Sequence, residues 1–158
     1  LGMTRPAHDG TGRRVPTVTP ADHHDVIEDR VVDEIRRHFT EELNRPELLN
    51  RVGDNLVVFD FIRKPAAIQI TDLMLERIKA RVRDSAGIEV DISSSAREQL
   101  HRLTTADLSF GGRGIGNVLE ARYVNPLARA LFAHDPPPGV GMEVVEVAST
   151  GVPQVVLR

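Results

Sequence analysis

Cysteine and tryptophan are both absent from the 158 residues, and the aromatics are limited to five phenylalanines and one tyrosine. Without cysteine there is no disulfide, thiol nucleophile or thiolate metal ligand, a usage that fits a reducing cytoplasm. With so few rings, the core has to be built from Leu, Ile and Val. No apolar run approaches the ~20 residues of a membrane-spanning helix, and no signal-peptide pattern is read. The formal net charge is −3, against the basic balance of a dedicated nucleic-acid binder. A Gly-x-x-x-x-Gly-Lys-Ser/Thr loop to cradle phosphates is missing, as is an apolar strand ending in paired acids to hold magnesium. The chain by itself is therefore not expected to hydrolyse a nucleoside triphosphate.

What is present centres on residues 110–117. There Gly111, Gly112, Gly114 and Gly116 surround Arg113, ahead of a long helical pattern. Glycines let the backbone turn sharply and approach another group closely. A guanidinium set among them is a permanent charge with a planar fork suited to phosphate. The plainer reading is a helix start with a surface arginine. A dinucleotide fingerprint is rejected, because the glycine spacing is wrong and no convincing strand precedes it.

Taken in order, residues 1–18 are rich in Gly, Pro, Thr and Arg and read as an arm or long loop, with Arg13-Arg14 solvated. Thr19-Pro20-Ala21-Asp22 opens a helix with a capping box, and Ile27, Val31, Ile35 and Phe39 form its stripe. His23 and His24 are adjacent on that helix and point apart, so a shared metal ion is not expected. Arg45 to Val52 reads as a short helix or turn, and Leu56-Val57-Val58-Phe59 as a short buried strand. Pro65 starts a helix to about Asp84, striped by Ile70, Met74, Ile78 and Val82 and widened by Leu73 and Leu75. Ile88 to Ile92 alternates as a half-buried strand. Ser95-Ala96-Arg97-Glu98 offers a capping box for a helix through Leu103, where His101 sits at the surface or core edge. Ile115, Val118, Leu119, Tyr123, Leu127, Ala130 and Leu131 share one helical face, which Pro126 should kink. Met142 to Val147 and Val152 to Leu157 read as a hairpin through Ala148 to Gly151, forming a three-stranded sheet with the Ile88 strand.

Several of these motifs, in this order, resemble the C-terminal part of Clp-type AAA+ ATPases. The segment Arg45-Pro46-Glu47-Leu48-Leu49-Asn50-Arg51-Val52 is similar to that family's Pro-Glu-Phe-Leu-Asn-Arg-Ile-Asp, and Leu56 to Phe59 to the Val-Val-Phe strand after it. Leu108-Ser109-Phe110-Gly111-Gly112-Arg113 is similar to its Tyr-Gly-Ala-Arg, with Phe for Tyr and Gly for Ala, and Asn125-Pro126-Leu127-Ala128 to its Pro-Leu-Ala helix. The resemblance runs from about Val26 to Val147. Leu1-Gly2 matches only the end of the family's Thr-Ser-Asn-Leu-Gly. Three departures stand out. Asn44 replaces a usual Phe, Gly53 is an extra residue before Asp54, and Gly114 to Asn117 replace a Pro-Leu-basic run.

The resemblance implies an α+β, mainly helical fold: a lid domain with helices on a small three-stranded sheet, preceded by the helical end of a large ATPase domain. The implied division is 1–18 arm, 19–62 end of the large domain and 63–158 small lid domain. It implies ATP as cofactor, with Mg²⁺ held by a part of the large domain not recognised here. Arg51 would be a finger reaching a neighbouring subunit's ATP, with Arg45 a lesser candidate. The plain reading of Arg51 is a salt bridge to Glu47. Arg113 would be a sensor touching the phosphates of its own subunit's ATP, with Gly112 beside it and Ile70 near the adenine. The partners implied are neighbouring subunits of a homo-oligomeric ring, expected as a hexamer, with protein substrates and an associated protease as an open case. No membrane or nucleic-acid partner is expected. Two alternatives remain: a stand-alone interaction module with a lid-like fold and no nucleotide chemistry, and a helix-turn-helix reader of nucleic acid.

Overall fold

A computed structural model describes residues 4–6, 14–53, 55–148 and 151–158. The chain forms two compact units, Leu1–Phe61 and Ile62–Arg158.

In the first unit, β1 (Thr4–Pro6) and β2 (Arg14–Pro16) pair antiparallel, with Arg5 opposite Val15. The stretch read as an arm or long loop thus carries a two-stranded ladder, too short to show a period of two in the sequence. Leu1-Gly2, Arg13 and the Ser149-Thr150 part of the expected hairpin turn lie outside the described residues. Helix α1 (His24–Arg37) starts later than the capping pattern predicts. Asp22 is engaged in closing a turn, accepting from the Thr19 N–H at 2.7 Å and the Thr19 hydroxyl at 2.9 Å. These bonds, the backbone one foremost, hold the Asp22 carboxyl below its ordinary pKa. The stripe of α1 buries Ile27 and Val31 with Val18, and Ile35, Val58 and Phe61 pack around them. A π turn, His38–Glu42, follows. Then comes α2 (Pro46–Val52), with proline in its first turn.

Leu56 to Phe59 is not a strand. The segment has the composition of a strand but no ladder partner among the described residues, and a lone strand is not stable in water. Val57 and Phe59 are 76% and 87% exposed.

The second unit begins at Ile62 and is organised by α3 (Lys64–Ala86). Ala67, Thr71 and Leu75 are its buried line, and Ile70, Met74, Ile78 and Val82 pack beside it. Leu73, expected to widen the stripe, is 62% exposed. It lies two positions from Leu75, and residues two apart on a helix do not share a face. Strand β3 (Glu89–Ile92) leads into α4 (Ser94–Thr104). The cap of α4 is Ser93, whose hydroxyl accepts from the Ala96 N–H at 3.2 Å. Ser95, the expected cap, sits one residue inside the helix.

Helix α5 (Gly111–Leu119), a π turn (Glu120–Val124) and α6 (Asn125–His134) run on as one rod. At the position of Pro126 the helical run carries this widened turn. The Asn125 N–H bonds five residues back to the Glu120 carbonyl, and Pro126, which has no N–H, enters the first turn of α6. Ile115, Leu119, Tyr123 and Leu127 all face the core. Strands β4 (Gly141–Val147) and β5 (Val155–Leu157) complete a sheet of order β3-β4-β5. β3 runs parallel to β4, with Val90 opposite Met142. β5 is antiparallel to β4 and irregular between Val144 and Glu146. The unit is mainly helical with a small mixed three-stranded sheet, an α+β lid architecture. Among the described residues no helix is long and apolar enough to cross a membrane.

Candidate functional site

The two arginines singled out above belong to different units. Arg51 lies in the last turn of α2, exposed, with no ion pair or hydrogen bond to any described residue. The Glu47 carboxylate that might have neutralised it pairs instead with Arg45, at 3.5 Å. The departures around α2 have a backbone explanation. Asn44 adopts φ 50, the left-handed region, where asparagine is tolerated far better than phenylalanine. Gly53 closes α2 at φ 56 and ψ −135, a conformation that side chains other than glycine's hydrogen resist. The short helix carrying Arg51 is thus bracketed by two positive-φ residues that fix where it starts and stops.

Arg113 sits in the first turn of α5. The glycines expected as a loop lie inside this helix, with only Gly111 among them at positive φ, +56. The turn before it is tied by Ser109 N–H to Asp107 Oδ1 at 2.9 Å and by Gly111 N–H to the Leu108 carbonyl at 2.9 Å. Phe110 holds the N-cap position without a capping side chain and is 73% exposed. The first N–H groups of a helix lack intrahelical partners and carry the positive end of its dipole. Gly112 contributes one of them. The Arg113 guanidinium is exposed and makes no ion pair or hydrogen bond to a described residue. Backbone donors, helix dipole and a free planar cation therefore coincide at one helix end, chemistry that suits a phosphate. Ile70 is half-buried on α3 and packs against the core of the same unit.

A second polar cluster was not legible in advance. Asp72 of α3 accepts from Arg97 Nη1 at 2.7 Å and meets His101 Nε2 at 2.9 Å, both on α4. Arg97 also reaches Glu76 at 3.4 Å. Burial pushes the Asp72 carboxyl up, but the bonds from His101 and Arg97 outweigh it and hold the group below its ordinary value. Nearby, the Thr71 and Thr104 hydroxyls meet at 2.9 Å in the buried α3–α4 seam. Each also lies within reach of the carbonyl four residues back in its own helix. His101 is therefore an ion-pair and hydrogen-bond partner at the core edge. Asp72 lies 29 residues upstream of it, a separation no local pattern flags. Among the described residues no group of acids and histidines is arranged to hold a metal. An apolar groove of about 550 Å³ between α3 and α6, lined by Ile78, Val82, Leu127, Leu131 and Phe132, contains none of the predicted site residues.

With this geometry established, comparison with known proteins is specific. The family model for the C-terminal, D2-small domain of ClpB protein matches residues 62–144. Chaperone protein ClpB of Nitratidesulfovibrio vulgaris is 31% identical over 118 residues, covering 75% of this chain and 13% of that protein. The chloroplastic chaperone protein ClpD of Arabidopsis thaliana is 31% identical over 125 residues, 79% of this chain and 12% of its own length. The chloroplastic ClpD2 of Oryza sativa is 27% identical over 142 residues, 90% of this chain and 14% of its own length. This chain thus spans only about an eighth of the length of such relatives, at the part that holds their C-terminal small domain. It belongs to the ClpB D2-small-domain family, the C-terminal region of Clp-type AAA+ ATPases.

Proposed function

We propose that this chain is the C-terminal region of a ring-forming AAA+ ATPase that couples ATP hydrolysis to the unfolding or remodelling of proteins. Residues 19–62 are the end of the large ATPase domain and residues 63–158 the small lid domain. The ring is a hexamer of like subunits working in the cytoplasm. Support comes from the family match over residues 62–144 and from relatives named as chaperones. The observation that carries the assignment of a nucleotide role is the Arg113 guanidinium. It is exposed and unpaired among the described residues, in the first turn of α5.

ATP supplies the phosphoanhydride whose cleavage drives the remodelling, with its Mg²⁺ held outside these residues. Arg113 and the Gly112 N–H would hold the phosphates of the subunit's own nucleotide, and Ile70 would offer an apolar wall to the adenine. Arg51, free of Glu47, would supply positive charge to the nucleotide of the adjoining subunit. A cation delivered in trans to a transferring phosphoryl group is worth about 10³ to 10⁵ in rate in well-studied cases. The exposed Val57 and Phe59 suit a segment that packs on further protein of the large domain.

The test uses the full ring that carries this chain. Arg51→Ala is expected to lower turnover by at least about 10³ while leaving nucleotide affinity intact. Arg113→Ala is expected to weaken nucleotide binding or uncouple it from hydrolysis. Full turnover by Arg51→Ala in a verified ring would remove the finger assignment. Normal binding and turnover by Arg113→Ala would remove the sensor.

A further inference from the structure

The turn that presents Arg113 is braced by few side chains. Gly111 and Gly112 have none, and Phe110 points largely into solvent. A Cβ added at Gly111 or Gly112 would meet the side chain of Ile62. The Ile62 Cδ1 lies 3.6 Å from where a Cβ on Gly111 would stand, and 3.7 Å from where one on Gly112 would stand. Ile62 is the residue at which the chain enters the second unit, and it is half-buried against that unit's core. The first residue of the second unit therefore faces the two glycines preceding Arg113.

We propose that Ile62 is a positioning residue for Arg113, acting through the backbone of Gly111 and Gly112. The inference rests on the reading of Arg113 as a phosphate contact. The physical basis is leverage at close packing. Side chains that fill a contact fix the backbone beneath them, and a gap leaves it free. With glycine at 111 and 112 the Ile62 methyl faces the two places where side chains would stand. A Cβ on Gly112 would land at ordinary van der Waals distance from that methyl, in a helical conformation that alanine accepts. Gly112→Ala should therefore tighten the brace. A Cβ on Gly114 behaves differently. It would come within 3.2 Å of Phe110 Cβ, so Gly114→Ala should push the turn from its other side.

The experiment measures ATP affinity in the full protein that carries this chain, for Ile62→Ala, Ile62→Val, Gly112→Ala, the Ile62→Ala/Gly112→Ala pair and Arg113→Ala. Thermal denaturation confirms that each is folded. The expected result is a loss of about threefold to tenfold for Ile62→Ala, with most of it restored in Ile62→Val. Gly112→Ala should tighten binding when Ile62 is present and give no gain when it is absent. The Arg113 Nε–H resonance should shift in Ile62→Ala and return in Ile62→Val, a response that general destabilisation would not produce. If Arg113→Ala weakens binding while Ile62→Ala binds normally, the positioning role is overturned and the sensor reading stands. If Arg113→Ala binds ATP normally, both fall together. Should Ile62→Ala fail to fold, Ile62→Val and Gly112→Ala form the cycle instead, and additive effects on affinity overturn the proposal.

Discussion

In Ile62–Arg158, apolar side chains from four helices and two strands close over one another, among them Leu75, Leu100, Ile115, Leu119 and Leu127 at 2% exposure or less. In Leu1–Phe61, the buried apolar residues among those described are Val18, Ile27 and Val31. Charge supplies much of the visible order there. Arg37 sits among the carboxylates of Glu34, Glu41 and Glu42 at 2.9, 3.8 and 3.2 Å, and His38 meets Glu42 at 2.7 Å. The difference has a general lesson. Exposed ion pairs at helical spacing are worth about 0–1 kcal/mol each and decorate a helix without choosing its neighbours. Each fully buried Leu or Ile contributes about 1.5–3 kcal/mol and forces a particular set of neighbours around it. The second unit is specified by its interior, and the first by local geometry along the chain.

The largest test of this contrast is Leu100→Ala. It is expected to cost about 2–5 kcal/mol, read as a lower denaturant midpoint for Ile62–Arg158. Amide exchange of the unaltered chain should be slowest in α3, α4 and β4 and faster throughout α1. Equal protection in α1 and α4 would erase the distinction between the units. Next in size is the buried threonine pair. Thr71→Val alone leaves the Thr104 hydroxyl with one partner fewer and should cost about 1–3 kcal/mol. Thr71→Val combined with Thr104→Val removes both polar groups and should recover most of that loss. A double variant worse than the sum of the singles would show that the hydroxyls do more than satisfy each other.

The smallest effect belongs to the half-exposed Asp72. Its carboxyl is held below its ordinary value of 3.8 in the folded chain. Its contribution is therefore full above that value and is lost as pH falls through the lower folded-state pKa. Asp72→Asn should lower stability by about 1 kcal/mol or less at neutral pH, given its exposure. The gap to the unaltered chain should close below about pH 4. A gap that stays constant from pH 7 to pH 3 would show that the carboxylate charge is not what joins α3 to α4.

The sequence could be read where order is local. The four-residue spacing in α1 and α3, the alternation of Ile88 to Ile92 and the single face of Ile115 to Leu131 each carry their own period, and the sheet of three strands follows from them. Reading failed where the deciding partner is distant or missing. Leu56 to Phe59 has the composition of a strand, but a strand exists only with a neighbour. Ser93 and Ser95 are both acceptable caps, and the choice follows from β4, whose Val144 carbonyl accepts from the Ser93 N–H at 3.0 Å and leaves Ser93 extended at the helix edge. Asp72, Arg97 and His101 are unremarkable one at a time and gain meaning from the pairing of α3 with α4. Arg113 was visible because its setting, glycines followed by an apolar helical face, is contiguous. The role of Ile62 was not, because nothing in its neighbours points 49 positions ahead.

The π turn at Glu120–Val124 sets a condition on what changes this rod can accept. Such a turn holds one more residue than the helix on either side, and each residue of an α-helix advances about 100° around its axis. Losing one residue between 120 and 124 would remove the surplus one and return the turn to ordinary α-helix, leaving Leu127 and Leu131 on the face they now turn to the core. A deletion in the regular helix on either side has no such slack and would turn everything after it by roughly 100°. The segment is therefore a place where the length of this helical run, and not only its letters, can change by one.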